Sequence, residues 1–324
     1  MANQRLSIPK RAAIIAALCE GTPINAVCRM FKTGKHAVLR VIAETGEALE
    51  DYMSRNFRDI PCARIAMDEQ WQYVGRHGAT MGNKNEAERG DFWLWCAVDP
   101  DTKLVFSYKI GKRDMATGKD FMADVRARVV GAPQIATDNL NSYPALVRGA
   151  FGYEGYSYGT ETKNFGEPNY PKNMTPMDWN RIQRKPVSKT VSSKRKAVVG
   201  SPNLGSLTTC HIERVFLTVR QELARFTRKT LAYSKDLEMH KAAVNLHFGI
   251  YNLVRKHTTL GTTPAVAAGI EENRWTLERV VEMTEAYWQP KRANEQAAKA
   301  AAKRIAEDAV FEQALAALNN SHNA

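Results

Sequence analysis

Apolar positions recur at helical spacing over residues 7–50, break into short runs between about 62 and 158, and return to helical spacing from about 210. In the first stretch, Ser7 is placed to cap a helix, with Pro9 in its opening turn and Gly21 behind its end. Thr22-Pro23 opens a second helix carrying Ile24, Val27 and Phe31. After the short link Lys32-Thr33-Gly34, a third helix aligns Val38, Ile42 and Leu49 on its inner side. Helix, turn, helix with a glycine in the link is a pattern used to read DNA. It leaves Lys32, Lys35, His36 and Arg40 outward at the start of the third helix, where base edges would be met. A plain three-helix bundle with a solvated basic face produces the same pattern, so this window leaves both readings open.

The second stretch reads as strands. Residues 63–74 form a first strand; 92–98 and 104–110 pair as a hairpin across Asp99-Pro100-Asp101-Thr102, where the aspartates are turn formers. A helix is expected over 117–130, a short strand over 134–137, a helix from about Ser142, and a short strand near 153–158. From about 160 to 207 the periodicity stops, and the segment is rich in Pro, Asn, Gly, Ser and basic residues, Arg184, Lys185 and Arg195 among them. It reads as a long loop or insertion with little core of its own. Beyond it, Ile212, Val215, Phe216, Val219, Leu223 and Phe226 mark a buried helical stripe, a further helix is expected over 235–255, and 291–318 is an exposed or self-associating helical tail.

Charge and composition narrow the class. The 324 residues carry 46 Lys+Arg against 34 Asp+Glu, a formal charge of +12, which favours a polyanionic partner. No run approaches the ~20 apolar residues of a spanning helix, and the first residues lack the apolar core of a secretion signal. Neither a membrane partner nor export is therefore expected. The five cysteines (19, 28, 62, 96, 210) include no C-x-x-C pair and read as reduced core thiols in a cytoplasmic protein.

Three carboxylates stand out. Asp68 interrupts an otherwise apolar strand, which is costly unless the charge is paired or bound to metal. Asp138 ends the strand Ile135-Ala136-Thr137, at a sheet edge where sites gather. Glu213 lies beside the buried stripe of the later helix, with Arg220 two turns along the same face. Together they offer the oxygen-rich shell suited to Mg²⁺ or Mn²⁺. Glu69 is a rival ligand, rejected because strand alternation turns it to the face opposite Asp68. His211 falls on a different helix face from Glu213 and reads as a surface histidine, with a supporting contact to the site or a DNA contact as the alternative.

The segments Met67-Asp68-Glu69-Gln70-Trp71-Gln72-Tyr73-Val74, Thr137-Asp138-Asn139-Leu140-Asn141-Ser142-Tyr143 and Ile212-Glu213-Arg214 resemble the three catalytic blocks of bacterial insertion-sequence transposases, and most of all the family founded on insertion sequence one. Leu217-Thr218-Val219-Arg220-Gln221 is similar to the same family, and 252–264 to the wider transposase and retroviral-integrase group. The resemblance covers roughly residues 10 to 270. It lacks the N-terminal cysteine zinc module of some members, and its interval from Asp138 to Glu213 is long.

The resulting expectation is an α/β protein: a helix-turn-helix DNA-binding domain over 1–56, an RNase H-like mixed sheet with flanking helices over 60–260 containing the basic insertion, and a helical C-terminal region with a charged tail over 261–324. The resemblance implies a DNA transposase acting as a multimer on double-stranded element ends and target DNA. Asp68, Asp138 and Glu213 would hold two Mg²⁺ for in-line phosphodiester displacement, with Mn²⁺ able to substitute. DNA contacts are expected from Lys32, Lys35, His36, Arg40, Arg184, Lys185, Arg195, Arg214, Arg220 and Lys256, in a bacterial, nucleoid-associated setting. The alternative is a catalytically silent helix-turn-helix regulator derived from such an enzyme.

Overall fold

The computed structural model describes residues 6–75, 88–166, 190–227 and 232–322, leaving aside the side chains of 306 and 309–322. Three helices come first: α1 (Ile8–Cys19), α2 (Ile24–Met30) and α3 (Lys35–Asn56). Pro9 sits in the first turn of α1, but the Ser7 side chain makes no cap; only its carbonyl accepts, from the Arg11 amide. Gly21 ends the helix at φ 78°, a left-handed conformation glycine adopts without steric cost.

The sheet follows: β1 (Arg64–Val74), β2 (Gly90–Val98), β3 (Val105–Gly111), α4 (Met115–Arg128), β4 (Gln134–Thr137), α5 (Tyr143–Phe151), β5 (Ser157–Phe165) and β6 (Thr190–Val199). Its six strands run in the order β3-β2-β1-β4-β5-β6. β4 lies parallel to β1 and to β5, and every other neighbouring pair is antiparallel. This mixed sheet with flanking helices is compatible with an RNase H-like fold.

The segment expected to be a loop from 160 differs. β5 runs to Phe165 rather than ending near 158, and β6 returns antiparallel to it, Thr160 facing Lys196 and Thr162 facing Lys194. The hairpin carries almost no apolar alternation, and β6 is exposed along most of its length. Backbone hydrogen bonding to a sheet edge, rather than burial, makes it a strand, and periodicity does not report that.

Alternation along β1 sorts the two faces. Ile65 and Met67 pack with Trp95, Phe121, Tyr143 and Leu146 toward α4 and α5. Ala66 packs with Leu94, Cys96 and Val98 against α6 (Cys210–Glu222) and α7 (Leu237–Leu253). The helical stripe read as continuous to Phe226 is broken at Leu223, and a short 3₁₀ turn, Ala224–Phe226, returns Phe226 to the core. Asp236 caps α7 by accepting from the Met239 amide.

The helical ends are joined to the sheet. α3 lies along α7 at Gly46, where an added Cβ would collide with the Ala242 carbonyl. After α8 (Pro264–Ala267), helix α9 (Leu277–His322) begins well before the expected tail. Its first turns dock on the N-terminal helices: Arg11 pairs with Glu285, the Trp288 indole donates to the Glu44 carbonyl at 3.0 Å, and Arg292 meets Glu44. One contiguous set of buried residues runs from Ala12 on α1 to Val281 on α9 through the sheet.

Candidate active site

Parallel pairing of β1 and β4 builds the centre. The register sets Ile65 against Ile135 and Ala66 against Ala136; carried two residues further, it sets Asp68 beside Asp138, just past the end of β4. Alternation turns Asp68 to the face covered by α6, the face of Ala66. Asp68 accepts from the Glu69 amide at 2.8 Å, and Asp138 from the Leu140 amide at 3.0 Å, a local turn that fixes its carboxylate.

Glu69 does point to the opposite face: Tyr143 of α5 donates to it at 2.8 Å, and the Arg113 Nε at 2.8 Å. Rejecting it as a ligand on alternation alone is nevertheless corrected. An oxygen from each of Asp68, Glu69 and Asp138 lies within 4.8 Å of the others. Because β4 stops at Thr137, no strand separates the two faces at this edge, and the carboxylates from both meet around Asp138.

The electrostatics follow from that crowding. Burial, then the charges of Glu69 and Asp138, push the Asp68 carboxyl up to about 8. Burial, with Asp138 adding to it, also raises Glu69, against the hydrogen bonds from Tyr143 and Arg113. Three oxygen donors with too little positive charge among them suit a hard divalent cation. The donor set fits Mg²⁺ or Mn²⁺ and offers neither the thiolates nor the imidazoles that softer metals prefer.

Glu213 stands outside this group. On the first turn of α6 it is half-exposed, accepts from Thr209 Oγ1 at 2.8 Å, and is ion-paired to Lys163 of β5. Its charge still contributes to the raised Asp68 carboxyl. The start of α6 is held by Glu161, the neighbouring buried carboxylate on β5. Glu161 accepts from the Thr209 amide at 2.8 Å, from the Thr208 hydroxyl at 3.0 Å and from the Arg195 Nε at 3.1 Å. Burial pushes this carboxyl up, but those donors and the nearby Lys163 outweigh it and hold it below the usual range. Glu161, Lys163, Arg113 and Tyr143 were missed as site residues. Glu161 and Lys163 were hidden because the strand carrying them has no apolar signature.

The expected DNA contacts separate into groups. Lys32, Lys35, His36 and Arg40 are all exposed at the turn into α3 and along its first turns. Arg214 and Lys256 are exposed, and Arg220 is half-buried. Arg195 is engaged internally, by Glu161 and by the carbonyls of Leu204 and Gly205. Arg184 and Lys185 lie outside the described residues. No helix among those described is long and apolar enough to cross a membrane.

The family model described as IS1 transposase matches residues 173–253, a span that takes in β6, α6 and α7 and therefore Glu213. The chain is also 22% identical over 178 residues to the insertion element iso-IS1n protein InsB of Shigella dysenteriae, an alignment covering 55% of the chain and 88% of that relative. By both matches the chain is similar to one class of proteins, the insertion-sequence transposases. Within it, the chain resembles the IS1-like DDE transposases.

Proposed function

We propose that this protein is a DNA transposase that cleaves element ends and joins them to target DNA by metal-dependent in-line phosphodiester displacement. The observation that carries the reading is the juxtaposition of Asp68 on β1 and Asp138 just past the end of the parallel β4, with Glu69 beside them and a raised Asp68 carboxyl. Asp68 and Asp138 would hold Mg²⁺, and Glu213, now ion-paired to Lys163, would be the residue to complete the set. When bound, the metal supplies charge stabilisation at the phosphate and a more acidic nucleophile.

The chain's own groups do the positioning. Tyr143 and Arg113 orient Glu69, the Leu140 amide fixes Asp138, and Glu161 anchors the helix that carries Glu213. Such preorganisation means little reorganisation is needed at the moment of reaction. Double-stranded element ends and target DNA are the substrates, and paired ends call for more than one copy of the chain.

The test is a cleavage and joining assay with Mg²⁺ on duplexes carrying the ends of the encoding element, comparing wild type with Asp138→Asn. Metal-dependent nicking that disappears in the variant supports the reading. Nicking that persists in the variant removes these carboxylates from the chemistry. Specific binding by wild type with no nicking favours the silent helix-turn-helix regulator.

A further inference from the structure

A second polar surface lies on another flank of α6. At 100° per residue, His211, Arg214 and Thr218 line a flank about two-fifths of a turn from that of Glu213 and Arg220. They border a cleft of about 640 Å³, closed by the β2–β3 turn at Lys103 and by the segment after α7 at Lys256 and His257. The only carboxylate in its lining is Glu222, and that is already engaged by Arg255 and faces His247.

The cations here come from three separate elements. Among the described residues, no ion pair engages Lys103, Arg214 or Lys256. The two aspartates of the β2–β3 turn are engaged elsewhere: Asp101 is paired with Arg64, and Asp99 accepts from the Asp101 amide and the Thr102 hydroxyl. The Lys103 ammonium donates to the Pro100 carbonyl and lies 3.3 Å from His211 Nδ1, held there by a turn in which Lys103 itself has φ 61°. Burial, then Lys103 and Arg64, lower His211 against the opposing pull of Asp101 and Asp99, and burial, then Lys103 and Arg214, lower His257.

Holding like charges together costs free energy, and a fold that fixes them with a backbone turn and a helix face is built to receive an anion. Because the cations span three elements along an open cleft, they match a chain of phosphates better than a single small anion. We propose that this cleft binds the phosphodiester backbone of duplex DNA at a point away from the carboxylates, with Lys103, Arg214 and Lys256 as the phosphate contacts. It rests on the transposase reading above and adds to it a grip on the DNA that flanks the reacting phosphate, with α6 standing between the two.

The test measures binding of a duplex of arbitrary sequence by fluorescence anisotropy, with EDTA present so that no cleavage enters. For wild type and Lys103→Gln/Arg214→Gln/Lys256→Gln, affinity is followed across a salt series. Each lost phosphate contact lowers the slope of log affinity against log salt by about 0.9, so the triple variant should lose about 2 to 3 from it. Thr218→Glu, which puts a carboxylate into the cleft, should weaken binding in a wild-type background. Lys109→Gln/Lys241→Gln, in the groove between α3 and α4, should leave the slope as it was.

An unchanged slope in the triple variant, or an equal fall in the control, overturns the proposal. Displacement of the duplex by inorganic phosphate at matched ionic strength also overturns it, by making this a small-anion site. The outcome is separable from that of the Asp138→Asn assay. A slope that falls in a protein that never nicks DNA keeps the cleft and removes the enzyme. Nicking lost in Asp138→Asn with an unaltered slope in the cleft variant does the reverse.

Discussion

The carboxylate of Glu161 on β5 accepts the backbone amide of Thr209 at 2.8 Å, and so ties the edge of the sheet to the first turn of the helix bearing Glu213. The same carboxylate takes two threonine hydroxyls and the Arg195 guanidinium. Glu161→Ala leaves those buried donors unmatched, at a cost of about 1–3 kcal/mol. We expect it to lower cleavage and raise the Mg²⁺ concentration for half-maximal rate, while Glu161→Gln, which keeps the acceptor for Thr209, recovers most of both. Equal Mg²⁺ dependence in wild type and Glu161→Ala would restrict Glu161 to a purely structural role.

On the proposed reading, Lys163 would compete with metal for Glu213. Its ammonium is ion-paired to that carboxylate and lies 4.0 Å from Glu161. Lys163→Met should therefore free Glu213 and lower the Mg²⁺ concentration for half-maximal thermal stabilisation several-fold. Titration by differential scanning fluorimetry checks this; a higher requirement would mean that Lys163 assists the site.

Divalent cation should stabilise the folded protein, because it relieves the crowding that pushes the Asp68 carboxyl up. Mg²⁺ or Mn²⁺ is expected to raise Tm in wild type and to leave Asp68→Asn and Asp138→Asn unmoved. Glu69→Gln should keep part of the shift, since Glu69 is already engaged by Tyr143 and Arg113. Identical shifts in all four proteins would place the metal elsewhere.

At Gly46 two effects of opposite sign compete. In a free helix, Gly46→Ala would gain about 1 kcal/mol of helix propensity. Here the new methyl would meet the Ala242 backbone of α7, and such overpacking costs about 1–3 kcal/mol. The collision is with backbone, which cannot turn aside, so net destabilisation in urea unfolding is expected. Stabilisation would show that α3 is only loosely apposed to α7.

Two buried histidines of α7 make stability depend on acid. Burial lowers His247 to about 4, while burial and the charge of Arg225 lower His240 to about 3. In the unfolded chain both titrate near 6.5, so below that pH the unfolded state takes up protons that the folded state refuses. Their stability contribution is whole above about 6.5 and is lost as pH falls toward about 4 for His247 and about 3 for His240, roughly 3 and 5 kcal/mol respectively. Metal-free Tm measured from neutral pH down to 5 should fall less steeply in His247→Gln than in wild type. Parallel profiles would remove His247 as the cause.

The sequence by itself determined the elements whose signal is local. Apolar spacing located α1–α3, β1–β4, α6 and α7, because each has one face against the core. The carboxylates Asp68 and Asp138 were legible for the same reason, as charges set in or ending apolar strands. Tertiary structure decided the rest. The β5–β6 hairpin exists through backbone pairing at a sheet edge and has no apolar code. Glu69 joins Asp68 because β4 stops where it does, while Glu213 stands apart because Lys163 arrives from a strand that no periodicity announced. α9, of which 291–318 read as an exposed or self-associating tail, is anchored near its start by Arg11, Glu44 and Glu47, residues more than two hundred positions away. Side-chain period records which face of an element is buried, but not which distant charge will stand beside it, and at this site the distant charges decide which carboxylates are already paired with a cation.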